Sequence, residues 1–347
     1  MDPGDHYRTF ADEPVRSRRL SEMDKSAMNR SLCRLCGCAS TKNLGKIPDC
    51  GVFAGQSITP SIHGGYLMHC PDCDSLFRSP ILSQAEYENL YQNAPDTLWK
   101  SYQEVRNDLI IIRDLLSDMA GGRILDIGCH SGSFLKSLPT RFEKFGIEPS
   151  NSASRVAQSQ GVNILGKTVT QINPDQQFDI VLAIDVIEHV ANVNEFMRNA
   201  LGHVSEHGLL IISTGNPDYI LWKKIFKSRF WYNSYSEHLT FPSIKYFDRY
   251  CKMTGLIKPL QICFCYLKCS FRWKIVLGIS QTIFFISPSA FRFCERVIRK
   301  MTGMADRLNP EFGLSAGGAF ADHHVIVVKN EKHGDGFSSD GRNDSMA

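Results

Sequence analysis

Four short apolar runs, separated by segments long enough for helices, constrain the fold of this 347-residue chain more than any other feature. None of the runs alternates strictly between apolar and polar residues. Strands that are buried on both faces lack this alternation. Strands of this kind, joined by helices, form a parallel sheet with right-handed crossovers. We therefore predict an α/β fold. The runs are Arg123 to Ile127, Phe142 to Glu148, Phe178 to Ile184 and Leu209 to Thr214.

Other elements follow from the same pattern. Apolar residues at helical spacing predict a helix over Glu104 to Met119, which leads into the first strand. Two further runs, Leu260 to Tyr266 and His323 to Val328, are predicted to be strands, and a long insert lies between them.

The first run leads into a turn that fits a nucleoside site. Asp126 stands near the end of the strand, and Gly128 and Gly132 follow in the turn around Cys129. Glycine lacks a Cβ, so the turn lets a ligand approach the backbone closely. About twenty residues later, Glu148 ends the second run, where a carboxylate accepts hydrogen bonds from ribose hydroxyls. The G-x-G-x-x-G spacing that seats a pyrophosphate is missing, which argues against a dinucleotide.

These residues resemble class I S-adenosylmethionine-dependent methyltransferases, in the ubiquinone-biosynthesis-like branch. Asp126, Gly128 and Gly132 match the family motif D-x-G-x-G-x-G, and His130 stands at its middle glycine. The resemblance covers roughly residues 100 to 330 and implies a Rossmann-like seven-stranded sheet. It also implies that S-adenosylmethionine is bound by the set Asp126, Gly128, Cys129, Gly132 and Glu148.

Two later segments show the same resemblance. Gln177 to Val190 looks like the fourth-strand motif, which implies that Asp185 and Val186 line the cofactor. Ser236 to Ser243 resembles an E-H-x-x-x-[FY]-[ST] segment of the family. We predict its His238 as the general base, because an imidazole suits proton removal from an acceptor hydroxyl or carbon acid. Alternatively, His238 caps a helix or bonds a backbone carbonyl.

A divalent cation is an alternative for the same region. Some methyltransferases with an E-x-x-E-H element and a later histidine bind one, and here Asp185 stands at the first glutamate. Oxygen and imidazole ligands would suit magnesium or manganese. Glu188 and His189 are equally explained as a helix-start group and a loop-bonding group. The candidate ligands are Asp185, Glu188, His189 and His238.

Two C-x-x-C pairs predict a zinc site near the N-terminus. Cys33 with Cys36 and Cys70 with Cys73 are separated by 33 residues. Thiolates at this spacing are typical ligands of a tetrahedral zinc ion, which is structural when all four ligands are cysteines. An iron site of the rubredoxin kind would use similar ligands. The segment resembles the N-terminal zinc-binding region of bacterial methyltransferases in sugar and polysaccharide pathways.

The insert has a mixed character. Lys268 to Lys300 contains seven Lys or Arg residues and one acid, Glu295, among apolar residues. The apolar run Ile275 to Phe291 is too short and too interrupted to be a transmembrane helix. We predict either peripheral contact with an anionic membrane, cover for a phosphate-bearing substrate, or a core-packed helical lid.

The expected domain organisation has four parts. They are a disordered leader at 1–30, a zinc-binding module at 31–95, a methyltransferase domain at 96–330 with its insert at 267–320, and a disordered tail at 331–347. The N-terminus has no apolar core of signal-peptide type, so we expect a cytoplasmic protein. In that reducing compartment the twelve cysteines are thiols or metal ligands, with Cys38 and Cys50 outside the zinc pattern.

The predicted function is methyl transfer from S-adenosylmethionine to a hydroxyl or a carbon of a sugar, nucleotide-sugar or glycolipid. Alternatives are a quinone-like phenol, an RNA end, or a noncatalytic adaptor that keeps the fold. The formal net charge is only +3, and basic residues are sparse in the cysteine module, so no nucleic-acid partner is expected.

Overall fold

The computed structural model describes residues 32–53, 56–83, 86–87, 90, 106–266, 271–287 and 321–331. The predicted leader, residues 91–105 with the start of the helix predicted from Glu104, the whole insert after residue 287 and the tail after Glu331 lie outside the described residues.

Thirteen strands and six α-helices have defined bounds within the described residues. The strands are β1 Lys42–Lys46, β2 Cys50–Phe53, β3 Gln56–Ile62, β4 Tyr66–His69, β5 Leu76–Ser79, β6 Gly122–Ile127, β7 Phe142–Ile147, β8 Asn163–Gly166, β9 Phe178–Ile184, β10 Val204–Gly215, β11 Thr240–Phe241, β12 Leu260–Phe264 and β13 His323–Lys329. The α-helices are α1 Asn107–Ser117, α2 Ser133–Ser137, α3 Asn151–Ser159, α4 Val193–Gly202, α5 Ile244–Thr254 and α6 Phe271–Ile286.

A seven-stranded sheet has the order β12-β13-β10-β9-β6-β7-β8. The pairs from β10 to β8 are parallel, whereas β13 runs antiparallel to both β10 and β12. The predicted α/β fold is confirmed, with a mostly parallel sheet. Strand β12 ends at Phe264, earlier than predicted, and the Tyr266 amide beyond it donates to Asp322 Oδ1 at 3.2 Å.

Both faces of this sheet are buried. Ile124 and Leu182 pack on one face with Ile112 of α1 and Phe134 of α2. On the opposite face, Leu125 and Ile212 pack with Phe196 of α4 and Phe247 of α5. Two-sided burial explains why the strand sequences show apolar runs without polar alternation.

Polar caps fix the starts of the helices that flank the site. Ser150 Oγ accepts from the Ala153 amide at 3.2 Å at the start of α3. Ser243 Oγ accepts from the Tyr246 amide at 3.2 Å at the start of α5. Such caps satisfy amides that have no partner within the helix.

A second sheet joins the cysteine-bearing segment to the larger fold. Its order is β1-β4-β5-β11, so β11, which follows the loop containing His238, pairs antiparallel with β5. Strands β2 and β3 form a separate hairpin. Within the described ranges, no helix combines the length and the apolar character needed to cross a bilayer.

Candidate functional site

The turn after β6 is shaped by two glycines in left-handed conformations, Gly128 with φ +79° and Gly132 with φ +72°. A Cβ on Gly128 would lie 2.8 Å from Val186 Cγ2, and one on Gly132 would lie 2.8 Å from Val162 Cγ2. Both glycines thus leave space for neighbouring side chains of the protein, and close approach of a ligand to this turn stays a prediction. His130 is also left-handed, with φ +47°, a conformation that glycine adopts readily.

The two predicted cofactor carboxylates lie at the carboxyl ends of neighbouring strands. Glu148 is buried beyond β7 and accepts from the His130 amide and the Ser150 amide, each at 2.8 Å. Asp126 is buried near the end of β6, and its Oδ1 has no hydrogen-bond partner among the described residues. Burial, with the nearby Glu148 charge, raises the pKa of Asp126 to about 8. A polar, cationic ligand in this crevice would satisfy Asp126.

Cys129 and Val186 flank the crevice differently. The thiol of Cys129 is buried against β7, where a Cβ on Gly146 would lie 2.5 Å from it. Any ligand contact of Cys129 therefore comes from its backbone. Val186 is half-buried and lies against Gly128 of the turn, and its predicted contact with the cofactor stays a prediction.

A buried ion-pair network surrounds Asp185 beyond β9. Arg106 Nη2 lies 2.7 Å from Asp185 Oδ2 and 2.5 Å from Asp108 Oδ2. The Tyr266 hydroxyl donates to Asp185 Oδ2 at 3.3 Å, and the Arg106 guanidinium lies 4.9 Å from the Tyr266 ring centroid. Asp185 Oδ1 is buried without a hydrogen-bond partner among the described residues. The network leaves one carboxylate oxygen available for a donor at the strand ends.

A second polar cluster follows Asp185. One potential ligand atom from each of Glu188, His189 and His238 lies within 4.8 Å of the others. Glu188 accepts a hydrogen bond from the Tyr232 hydroxyl, and burial raises the pKa of Glu188 to about 7. Asp185 does not belong to this group. The proposed four-ligand arrangement is therefore reduced to three residues, since the Asp185 carboxylate pairs with Arg106 instead.

His238 is a buried, neutral imidazole. Its Nδ1 lies 2.9 Å from the Tyr232 carbonyl oxygen, which can only accept, so Nδ1 donates and Nε2 keeps a lone pair. Burial holds the pKa of His238 well below its usual range, and the nearby His189 adds to this shift. The predicted alternative, in which His238 bonds a backbone carbonyl, thus describes Nδ1, while Nε2 has the lone pair that a base or a ligand needs.

The four predicted zinc ligands converge. Cys33 Sγ and Cys73 Sγ are 3.7 Å apart, and Cys36 Sγ and Cys70 Sγ are 3.5 Å apart. All four sulfurs lie within 4.8 Å of one another. Zn–S bonds of about 2.3 Å in a tetrahedron put sulfurs about 3.8 Å apart, so the geometry fits a zinc ion. The hydrogen bond from Cys33 lowers the pKa of Cys73 to about 5, which leaves negative charge that a cation would neutralise.

Arg78 links this module to the loop that contains His238. Its guanidinium donates to four backbone carbonyls, and three of them, those of Asn233, Tyr235 and His238, lie in that loop. The fourth is Gly64 O at 2.6 Å. Arg78 is fully buried, and its burial lowers its pKa. The module therefore supports the loop directly.

Sequence reasoning missed several residues of this site. Arg106 and Asp108 start α1, and Tyr266 follows β12, so they meet Asp185 only in the folded chain. The one available signal was an acid at position 108 inside an apolar helical stripe, where a buried charge implies a partner. Tyr232 gave no comparable signal.

Residues 101–257 match a family model described as a methyltransferase domain. The matched segment is therefore a methyltransferase domain. The prediction of a class I, S-adenosylmethionine-dependent methyltransferase is confirmed for this segment, which includes β6 to α5 and most of the residues described above.

Named relatives agree with this domain. A ubiquinone biosynthesis O-methyltransferase from Rickettsia felis is 36% identical over 107 residues, which are 29% of this chain and 44% of that protein. One from Bradyrhizobium diazoefficiens is 33% identical over 115 residues, 31% of this chain and 44% of that protein. The chain thus spans less than half the length of either relative.

Solved structures of methyltransferases also resemble the chain. Phosphoethanolamine N-methyltransferase 2 from Haemonchus contortus, solved in complex with S-adenosyl-L-methionine, has a TM-score of 0.45 and 15% identity. The match covers 74% of this chain and 62% of that one.

Proposed function

We propose that the chain transfers the methyl group of S-adenosylmethionine to a hydroxyl, or to a carbon, of a sugar, nucleotide-sugar or glycolipid in the cytoplasm. The observation that carries the proposal is the pair of buried carboxylates, Asp126 and Glu148, at adjacent strand ends beside the turn after β6. The domain match supports the same chemistry.

The residues present fit this cofactor. Glu148 offers carboxylate lone pairs to ribose hydroxyls, and the unpartnered Oδ1 atoms of Asp126 and Asp185 suit the ammonium of its methionine part. Arg106 beside Asp185 offers a cation for the methionine carboxylate. The bound cofactor supplies an electrophilic methyl group. The chain must then orient the acceptor in line with it and remove the acceptor's proton.

Glu148→Gln is expected to weaken S-adenosylmethionine binding by about 10-fold to 100-fold, because the ribose loses a charged hydrogen-bond acceptor. Titration calorimetry with S-adenosylmethionine and S-adenosylhomocysteine measures this change. The matched control is Glu143→Gln on the same strand, where Glu143 is exposed and pairs with Arg123. A wild-type chain that takes up neither ligand would favour the noncatalytic adaptor.

His238 is proposed as the group that takes the acceptor proton at Nε2. His238→Gln is expected to lower kcat by about 10²-fold to 10⁴-fold while cofactor affinity stays unchanged, because the variant keeps a polar side chain but loses the base. His203 provides the matched control. It is also buried, its Nδ1 lies 2.9 Å from the Gln176 carbonyl oxygen, and it directly precedes β10, at the amino ends of the parallel strands and away from the turn after β6. His203→Gln should leave kcat within about twofold of the wild-type value. Equal losses in both variants would assign His238 a structural role.

A divalent cation at Glu188, His189 and His238 is the second candidate for this position, and the convergence of their ligand atoms favours it. Carboxylate and imidazole groups suit magnesium or manganese there. Chelation by EDTA distinguishes the two roles, since proton removal by His238 alone does not depend on added metal.

Two classes of methyl acceptor compete, a sugar hydroxyl and a quinone-like phenol. The names of the Rickettsia and Bradyrhizobium relatives support a quinone-like phenol as the main rival to a sugar hydroxyl. The resemblance of the cysteine module to those of sugar-pathway methyltransferases supports the sugar. A methyl-transfer screen over nucleotide sugars and catechols decides between them.

A further inference from the structure

An exposed apolar stripe runs along helix α6. Ile275, Ile279 and Ile286 are 49%, 56% and 70% exposed. Their spacing, with Thr282 between the second and third, places them on one face of the helix. Isolated surface isoleucines are common, but a row of them on one helix is typical of a surface that is covered in use.

The π-helical segment Leu221–Phe226 lies across a groove from this stripe. The groove encloses about 430 Å³, and its lining includes Leu221 and Phe226 on one side and Ile275 and Ile279 on the other. The Arg229 guanidinium fastens the two segments, since its Nη1 donates to the Phe285 carbonyl at 2.8 Å. The two segments therefore form one surface.

More exposed isoleucines flank the groove on the π-helical side. Ile220 and Ile225, next to the groove residues Leu221 and Phe226, are 59% and 51% exposed. Together with the stripe on α6, they give five exposed isoleucines on two adjoining segments. We call the surface formed by 219–229 and α6 the apolar-basic face.

The charges on this face have one sign. Residues 219–229 and Phe271–Ile286 contain no Asp or Glu. Lys224 and Lys227 are exposed among the isoleucines. Lys223 is held apart from them, since its Nζ lies 2.6 Å from Asp74 Oδ2. Exposed isoleucines interleaved with lysines, and with no acid, are complementary to an anionic lipid surface: the apolar side chains enter the headgroup region and the cations meet the phosphates.

We propose that the apolar-basic face binds the surface of an anionic bilayer. This inference is independent of the methyl-transfer proposal, because none of the residues it uses belongs to the cofactor crevice. It extends the sequence-based expectation for 268–300 to a segment, 219–229, that sequence reasoning did not select. Bound in this way, the chain would meet acceptors at the membrane surface.

Sedimentation of the full chain with phosphatidylcholine vesicles, with or without about one-third phosphatidylglycerol, tests the proposal. Binding is expected only to the anionic vesicles and is expected to weaken at high salt. Lys224→Gln with Lys227→Gln should weaken it about 25-fold, roughly fivefold per cation. Ile275→Ser with Ile279→Ser should weaken it by about tenfold or more, because buried apolar area is lost.

The matched control uses helix α5, where Lys252 and Met253 are also exposed. Lys252→Gln with Met253→Ser should leave vesicle binding unchanged, and thermal unfolding of every variant checks that the fold is intact. Failure of the wild-type chain to sediment with anionic vesicles overturns the proposal. Isoleucine variants that convert a dimer into a monomer without changing vesicle binding also overturn it, since that result assigns the face to a second copy of the chain.

Discussion

Cys73→Ser is expected to abolish zinc binding and to lower the midpoint of thermal unfolding by about 10 °C or more. Structural zinc contributes on the order of 10–16 kcal/mol to small zinc-dependent folds, and loss of about 7 kcal/mol of it gives a shift of this size in a chain of 347 residues. The effect should reach beyond the module. Ser243 Oγ donates to the Cys73 carbonyl at 2.5 Å, and Ser75 Oγ accepts from the Ser243 amide at 3.0 Å, at the start of α5.

Metal analysis of the purified chain and thermal scans measure both effects. Cys38→Ser is the matched control. Cys38 follows the pair Cys33 and Cys36 closely but lies outside the four-sulfur cluster, and its Sγ accepts from the Ser40 amide. This variant should keep one zinc ion per chain. If the wild-type protein contained iron, the site would be assigned as a rubredoxin-like iron site instead of a zinc site. If chelation removed no metal and left the thermal midpoint unchanged, the four cysteines would not form a metal site.

The parallel strands could be predicted because burial on both faces leaves a direct mark in the sequence. Phe178–Ile184 was located at both ends, since apolar residues fill every position that packs against the two helical layers except Asp179. The cysteine pairs could be predicted equally well, because the short spacing within each C-x-x-C pair brings its two sulfurs close together. Local rules of this kind need no knowledge of distant contacts.

Other parts depend on contacts that no local pattern encodes. Strand β11 has two residues, too few to show a period, yet it joins the cysteine module to the methyltransferase domain. Gly132 matched a ligand-binding motif, but the space beside it is needed by Ala157 and Val162. The partner of Asp185 proved to be Arg106, 79 positions earlier in the chain, which only the tertiary structure brings close.

These contacts show how the cysteine module meets the larger fold. Sequence analysis predicted a zinc-binding module at 31–95 in front of the methyltransferase domain at 96–330. In the structure, strand β5 of this module pairs with β11. In addition, Asn194 of α4 donates to the carbonyl of Leu35, which lies between Cys33 and Cys36, at 2.7 Å. The loop with Tyr232 and His238 is therefore held from two sides, by the sheet of the methyltransferase domain and by the module.

Arg78→Met is expected to destabilise the chain by about 3–5 kcal/mol and to lower methyl-transfer activity beyond the loss of folded protein. The substitution keeps an apolar side chain of similar length but removes the Arg78 donors from four carbonyls, one of which, that of Tyr235, keeps the His238 amide as a donor. Unpaired buried polar groups are costly. Because three of these carbonyls belong to residues 233–238, the position of His238 should become less fixed. Denaturant unfolding measures the loss of stability, and hydrogen exchange of residues 231–243 measures how firmly the loop with His238 is held.

The matched control is Arg249→Met, which removes another arginine that bridges the module and the methyltransferase domain. Arg249 of α5 contacts Asp72, but both side chains are exposed, and exposed ion pairs contribute about 0–1 kcal/mol. We expect this variant to differ little from the wild type in stability and in exchange. Arg78→Lys should fall between the two, since its ammonium has three donors for four carbonyls. If Arg78→Met lost stability while loop exchange and kcat stayed at wild-type values, Arg78 would stabilise the interface without positioning the loop that contains His238.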